Sequence, residues 1–338
     1  MSQRSPNTAD ERTLALLVFV RSHFPDAPPP AIASSDASAR RYWRLRLTNG
    51  DTRIIMDAPP PGEDIRPFIE MQERLTAAGV AVPNIFERDT GQGFLVLEDL
   101  GDCTFFQWRH GHSIDAVNAR LEEAVRLLAP VARTETANLP RFDTAMLNRE
   151  MDLFVDWYSA QYHDTPFNAE QTAQWQRLRD EISARLQAMP QGFVHRDYHS
   201  RNLMVQDDRL VAIDFQDAVR GPLPYDLVSL LRDSYIDWPE ELVSKLQAVF
   251  WQQCPPDLRE AWSLEQMRND FAWVAVQRHL KVLGIFARLS IRDGKHGYLK
   301  DLPLTWKHLQ KALAQLPELS GLTELIAPLG PKDQGLTG

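Results

Sequence analysis

Apolar residues recur along this chain in two rhythms, and the change between them divides it. In the first hundred residues the period is mostly two. Residues 42–47 alternate as a strand does, Asn49-Gly50 is a two-residue hairpin signal, and residues 52–56 supply the returning strand. Residues 10–24 precede them as an amphipathic helix, with Leu14, Leu17, Val18 and Arg21 at helical spacing and Pro25 ending it. A proline-rich stretch, 25–30, leads into a loop of small residues, 34–39, where no strand is expected. The run Pro59-Pro60-Pro61-Gly62 breaks the chain, and residues 64–78 return to helical spacing with Ile65, Phe68, Ile69, Leu75 and Ala78 on one face. Residues 80–83 and 85–86 are extended. Residues 93–97 form a continuous apolar strand that runs into Glu98-Asp99-Leu100-Gly101.

Beyond residue 113 the period is that of helices, through 115–137, 144–161 and 169–189, then again from near Asp226, Pro239 and Ser263, the last reaching about residue 291. Gly101 is a natural hinge. It sets an N-terminal lobe, 1–100, against a mainly helical lobe, 101–338, with the boundary at 98–101. A chain of 338 residues is long enough for two such units. The fold class expected is α+β, a small β-rich lobe followed by a larger helical one.

One segment interrupts the helices. Residues 193–217 read FVHRDYHSRNLMVQDDRLVAIDFQD. Leu203-Met204-Val205 and Leu210-Val211-Ala212-Ile213 are short strands joined by the polar turn Gln206-Asp207-Asp208-Arg209. Such a hairpin brings Asn202 and Asp214 to its open end, with Asp197 close by. Phosphoryl transfer asks little covalent chemistry of a protein: a carboxylate to take the nucleophile's proton, metal ions to neutralise phosphate charge, and rigid positioning. Asp197 supplies the carboxylate. Asn202 and Asp214 are hard oxygen ligands suited to Mg2+, which binds through one or two protein groups plus substrate phosphates. His195 stands behind Asp197 and holds the loop. Gln216 and Asp217 follow the metal aspartate closely enough to be acceptor contacts.

Composition narrows the partners. A formal net charge of -9 excludes the basic surface of a nucleic-acid binder, while leaving room for a local cationic pocket. Cys103 and Cys254 lack metal-ligand spacing and are expected as reduced thiols. No run of about 18 apolar residues is present and the first twenty residues carry no cleavage pattern, so no membrane association is expected and the cytoplasm is the simplest location. Nothing in the chain asks for an obligate protein partner.

HRDYHSRN followed by AIDFQD resembles the catalytic loop and metal-binding aspartate of the aminoglycoside phosphotransferase and choline kinase family, a branch of the protein-kinase-like fold. The resemblance runs through nearly the whole chain: SSDASARRYWRL resembles the nucleotide loop, FLVLEDLG the strand into the hinge, and GPLPYDL the family's G-x-x-x-x-D-L segment. It implies a bilobal kinase using ATP and Mg2+, with Asp197 as catalytic base and Asn202 and Asp214 as metal ligands. Asp226 is then a buried brace for the loop, and Glu98 to Leu100 present backbone groups to adenine. Ser35 and Ser38 cradle phosphate, with charge from Arg41 or its neighbours Arg40 and Arg44. The family's third-strand lysine has no counterpart, since its position falls at or beside Met56, and its partner glutamate would be Glu70 or Glu73. That departure keeps a nucleotide-binding pseudokinase as an alternative.

RYWRL, IIMDAPPP, NREMDLFVDWY and QRHLKVLGIFARL are similar to one bacterial subgroup, which phosphorylates the anomeric hydroxyl of N-acetylmuramate and N-acetylglucosamine in peptidoglycan recycling. The product implied is a sugar 1-phosphate; an aminoglycoside or amino alcohol is the alternative acceptor. The late helix carries Arg278, Lys281, Arg288 and Arg292 along one stripe opposite its apolar residues, where a solvated basic face is expected. Arg278 or His279 is the exception that could meet an acceptor carboxylate. Glu150 and Trp157 are acceptor contacts or, equally, a surface acid and a core aromatic. Trp273 is expected in the core.

Overall fold

The computed structural model describes residues 7–35 and 40–332. They form two compact units. The first is Met1–Cys103 with Met204–Asp217, and the second is Thr104–Leu203 with Ala218–Gly338. The division is discontinuous in sequence, a departure from the single boundary expected at 98–101, because the hairpin that follows residue 202 packs with the N-terminal unit.

The first unit is built on a five-stranded antiparallel sheet in the order β1-β2-β3-β5-β4, with β1 Ala31–Ser35, β2 Arg41–Arg46, β3 Thr52–Asp57, β4 Ile85–Asp89 and β5 Phe94–Glu98. The β2–β3 turn is the one the sequence signals, with Gly50 at φ +93. Strand β1 was not expected: Ala31–Ser35 has no apolar alternation, and it forms as an edge strand by pairing with β2. The helix Asn7–His23 covers the sheet, burying Leu16, Phe19 and Val20 against Leu45, Ile55, Phe94 and Val96. Its buried face is therefore not the predicted one, since Leu14 and Val18 are 61% and 67% exposed. Burial of each such core side chain contributes about 1.5–3 kcal/mol.

The short strands Leu203–Gln206 (β7) and Arg209–Ala212 (β8) pair as the predicted hairpin. Asp207 and Asp208 both take positive φ, +46 and +62, which is the twist-matched turn for a two-residue loop. Leu100, Met204 and Val211 form a small core with Ala81 and Ile213 packed on it, and Ala212 N–H donates to the Ala81 carbonyl at 2.9 Å.

The second unit is mainly helical, with one two-stranded antiparallel ribbon of Gln191–Val194 (β6) and Val219–Pro222 (β9). Its centre is the helix Leu264–Ile291, buried on nearly every side from Asp270 to Ala287. The helix Thr144–Leu153 continues as a π-helical stretch, Phe154–Tyr162, that packs against it. Gly284 makes this possible: a Cβ there would lie 2.3 Å from the Leu153 carbonyl carbon, and that neighbour is backbone. Gly284→Ala is expected to lower stability by about 1–3 kcal/mol, from overpacking that backbone cannot relieve, measured by urea unfolding. An unchanged midpoint would refute that close approach. Cys103 and Cys254 are both free thiols. Among the described residues no helix is long and apolar enough to cross a membrane.

Candidate active site

In the second unit the chain leaves β6 at Val194 and turns sharply through His195, Arg196 and Asp197. The turn depends on Arg196, whose φ of +75 is in the left-handed region and costs a non-glycine residue about 1–3 kcal/mol. Several bonds hold it there. The N–H groups of His195 and Arg196 donate to the two Asp226 carboxylate oxygens at 2.7 and 3.0 Å. The Arg196 carbonyl accepts from Arg278 Nη1 at 2.7 Å and Ser229 Oγ at 3.3 Å, and the Arg196 guanidinium donates to Glu150. Burial pushes the Asp226 carboxyl up, against those two donors and His195. His195 is buried with its ring edge-on to Tyr198.

The segment closes on the far side of Asp197. Asn202 N–H donates to the His199 carbonyl at 2.9 Å, and Asn202 Nδ2 donates to the Asp197 carbonyl at 3.0 Å. Ser200 is fixed through its N–H and hydroxyl, both donating to Asp233 Oδ2 at 3.0 and 2.5 Å. Asp233 was not anticipated. It is a buried brace 33 positions from the serine it holds, with no local pattern to announce it.

Asp197 keeps 39% of its side chain exposed amid cations. Desolvation works against its charge, but Lys281 and Arg278, then His199 and Arg196, hold the carboxyl well below its usual range. Arg278 Nη1 stands 3.6 Å from Asp197 Oδ1. Both Arg278 and Lys281 are only 5% exposed; this overturns the solvated face expected of Lys281, from which Arg278 was the expected exception. The helix carrying them is covered on the stripe opposite its apolar residues too, by the Arg196–Asp197 turn and Glu150. Farther along the same stripe, Arg292 is exposed and pairs with Asp293 at 2.7 Å.

Two expected acceptor contacts are corrected. Glu150 is buried, and its carboxylate takes Arg196, Gln277 Nε2 at 3.1 Å and Lys281 Nζ at 3.4 Å, so it braces the site from behind. His279 is fully buried, with Nδ1 2.5 Å from the Ala275 carbonyl oxygen and Nε2 3.0 Å from that of Arg232. Burial and neighbouring His308 lower its pKa to about 3, leaving a neutral core imidazole. Trp273 is in the core as expected. Trp157 lies on the π-helical stretch and lines, with Asp156 and Phe167, an open cavity of about 460 Å³.

In the first unit, Asp214 takes φ +65 and is exposed, directly before Phe215, which is buried on Phe68 with ring centroids 4.8 Å apart. Gln216 Nε2 donates to Asp214 Oδ1 at 2.9 Å and to Asp217 Oδ2 at 3.3 Å. Met56, at the expected lysine position, is fully buried, as is Asp57 beside it. Asp57 accepts from Arg12 Nε at 2.7 Å and from Arg41 Nη2 at 2.6 Å. Arg41 still leaves 37% of its side chain exposed. Glu70 pairs with the partly buried Arg74 and Glu73 with the exposed Arg88. Ser35 ends β1, and Ser38 lies outside the described residues. Glu98 N–H donates to the Asn84 carbonyl, its carboxylate accepts from Arg209 Nη2 at 2.6 Å, and Leu100 is in the small core below the hairpin. Among the described residues no three His, Cys, Asp or Glu side chains are grouped to hold a metal ion. Asn202 belongs to the second unit and Asp214 to the first, and each side chain offers a hard oxygen of the kind Mg2+ takes.

A model of a phosphotransferase enzyme family matches residues 31–261. The chain is 40% identical over 323 residues to the N-acetylmuramate/N-acetylglucosamine kinase of Pseudomonas aeruginosa, covering 92% of each chain. It is 35% identical to the protein of the same name from Neisseria meningitidis, covering 97% of this chain and 99% of that one. Among solved structures, an ADP-bound aminoglycoside phosphotransferase, APH(2'')-Ib, superposes with a TM-score of 0.59 at 13% identity, covering 88% of this chain and 98% of that one. Choline kinase LicA from Streptococcus pneumoniae gives 0.59 at 13% identity, covering 90% and 98%. These likenesses show a protein-kinase-like fold.

Proposed function

The chain belongs to the phosphotransferase enzyme family and is a small-molecule kinase, and from that premise we propose that it transfers the γ-phosphoryl group of ATP to the anomeric hydroxyl of N-acetylmuramate and N-acetylglucosamine. The observation that carries the choice of acceptor is the charge around Asp197. Arg196, Arg278 and Lys281 gather there against the carboxylates of Glu150 and Asp197. A polycationic aminoglycoside would meet repulsion where it needs carboxylates, whereas a neutral or carboxylate-bearing amino sugar would not.

In this reading the acceptor hydroxyl donates its hydrogen bond to Asp197. Its oxygen bonds to the γ-phosphorus as the β–γ bridging P–O bond breaks, the electron pair leaves on ADP, and the proton passes to Asp197. An anomeric hydroxyl is more acidic than an ordinary alcohol, which suits a carboxylate as strongly held in its ionised form as this one. Asn202 and Asp214 would hold Mg2+, which when bound supplies neutralisation of nucleotide phosphate charge. Ser35, Ser38 and Arg41 are assigned to the phosphates and the Glu98 to Leu100 backbone to adenine. Arg278, Gln216 and Asp217 are assigned to the sugar. The cytoplasm, where ATP is held, is the compartment the reaction calls for.

The test is incubation with ATP, Mg2+ and, separately, N-acetylmuramate, N-acetylglucosamine, choline and kanamycin. The amino sugars are expected to yield phosphate esters that have lost their reducing end. Phosphate appearing only on choline or kanamycin would sink the assignment.

A further inference from the structure

The segment after Asp197 carries a further cation, Arg201, directly before Asn202. Its surroundings are fixed. Ser200 before it is pinned to Asp233, and the Ser200 carbonyl accepts from Phe106 N–H at 2.9 Å. Phe106 lies in the short helix Phe105–Trp108, and its ring stands edge-on to Tyr235 with centroids 6.1 Å apart. The Arg201 guanidinium sits in the corner these rings make, 3.5 Å from the Tyr235 centroid and 4.9 Å from that of Phe106. Tyr235 is held in turn, its N–H donating to Asp233 Oδ1 at 3.0 Å and its ring meeting that of His199 edge-on.

A guanidinium lying on a ring keeps its N–H donors in the plane of the fork, clear of the ring beneath. Among the described residues, the Arg201 fork makes no hydrogen bond and no ion pair, and its nitrogens keep contact with solvent. The carboxylates around it do not answer it. Asp233 is taken up by Ser200 and by Tyr235 N–H. Asp301, which precedes the helix Leu302–Leu313, is close enough for Arg201 to oppose the rise that burial gives its carboxyl, yet no ion pair joins them. Stacking has already fixed the side chain, so the ordering that a ligand would otherwise have to impose is largely done. An immobilised fork with its donors open to solvent suits a planar oxyanion.

Position indicates which one. Arg201 and Asp197 share one tight turn, in which the Asp197 carbonyl accepts from both His199 N–H and Asn202 Nδ2 at 3.0 Å. A pyranose that gives its anomeric hydroxyl to Asp197 carries its far-side substituent roughly 6–7 Å away, through bonds of about 1.5 Å. In N-acetylmuramate that substituent ends in a lactyl carboxylate; in N-acetylglucosamine it is a hydroxyl. Arg278 is less free to serve, since it donates to the Arg196 carbonyl at 2.7 Å. We propose that Arg201 is the residue that selects the acidic acceptor, its fork donating to the lactyl carboxylate of N-acetylmuramate. This rests on the reading of the chain as a kinase of both amino sugars with the anomeric hydroxyl at Asp197.

The experiment measures kcat and KM, with ATP and Mg2+, for N-acetylmuramate, its methyl ester and N-acetylglucosamine. Wild type, Arg201→Met and Arg201→Lys are compared. Wild type is expected to prefer the acid to the ester by about 10- to 100-fold in kcat/KM, mostly through KM, the scale of one charge-assisted pair. Arg201→Met should lose that preference, treating acid and ester alike, while kcat/KM for N-acetylglucosamine moves by about threefold or less. Arg201→Lys keeps the charge without the fork and should fall between. Equal losses on both sugars in Arg201→Met would make Arg201 a prop for Asn202 and overturn the proposal, as would an undiminished preference for the acid. Acid and ester turned over alike by wild type would also overturn it, and that comparison stands even where Arg201→Met does not fold. Wild type inert on both amino sugars would mean that the reading of the function has failed and this proposal with it. Both sugars phosphorylated with no difference between acid and ester would count against Arg201 alone.

Discussion

Replacing Asp197 with asparagine is expected to reduce kcat by about a thousandfold or more while leaving ATP binding within about threefold. A thousandfold corresponds to about 4 kcal/mol of transition-state stabilisation, within what a proton-accepting and orienting group can supply. The fold should tolerate the change. Asp197 holds its segment through its backbone, whose carbonyl accepts from Asn202 Nδ2, while the side chain is 39% exposed and stands 3.6 Å from its nearest cation. Asparagine fills the same space and cannot take the proton. The measurement is a coupled ADP-release assay at saturating sugar, with nucleotide binding followed separately by calorimetry. Turnover within tenfold of wild type would remove Asp197 from the chemical step. Equal inactivity of wild type and variant on every acceptor, with ATP still bound, would instead revive the pseudokinase alternative.

The residues of this prediction were legible in the sequence for a physical reason. In the proposed reading Asp197, Asn202 and Asp214 would serve one reaction from one continuous stretch, so their types and spacing would be fixed together, and the apolar runs between them announce the hairpin. The supports of that stretch are distant. Gln277 lies 127 positions from Glu150, and Arg278 82 from the Arg196 carbonyl it bonds. No period or spacing connects such pairs. Glu150 consequently read as a surface acid or acceptor contact, and His279 as a substrate ligand, although one is a buried brace and the other a neutral core imidazole.

The late helix shows why patterning misled. Cations opposite an apolar stripe describe a solvated face only when the helix has a solvated face. From Asp270 to Ala287 this one is covered on almost every side, so its polar residues are buried as well and must find partners inside. The first helix failed in a milder way. Leu14 and Val18 fit a helical stripe as well as Leu16, Phe19 and Val20 do, and only the sheet's position chose between them. The π-helical stretch Phe154–Tyr162 left no mark on the apolar spacing, and the close approach of Gly284 to the Leu153 backbone just before it comes from far along the chain.

Glu150→Ala is expected to cost about 3–5 kcal/mol of stability near neutral pH, the penalty for removing one member of a buried ion network and leaving its partners charged. Those partners are Arg196, on the strained turn and mostly buried, and Lys281, which is buried. Burial opposes the charge on Glu150, yet Lys281, Arg196 and Gln277 hold its carboxyl below the ordinary value of 4.5. A carboxyl with a depressed folded pKa contributes stability that is fully present above the unfolded value and is lost as pH falls through the folded one. The difference between wild type and variant should therefore be constant from about pH 6 to 8 and shrink in acid below 4.5. Urea unfolding across that range measures it. Glu150→Gln, which still accepts from Arg196, should cost less than Glu150→Ala but more than the pair Glu150→Gln/Lys281→Met. A variant as stable as wild type at pH 7 would mean that Arg196 and Lys281 find compensation elsewhere. The left-handed turn before Asp197 would then owe its stability to Asp226, Arg278 and Ser229.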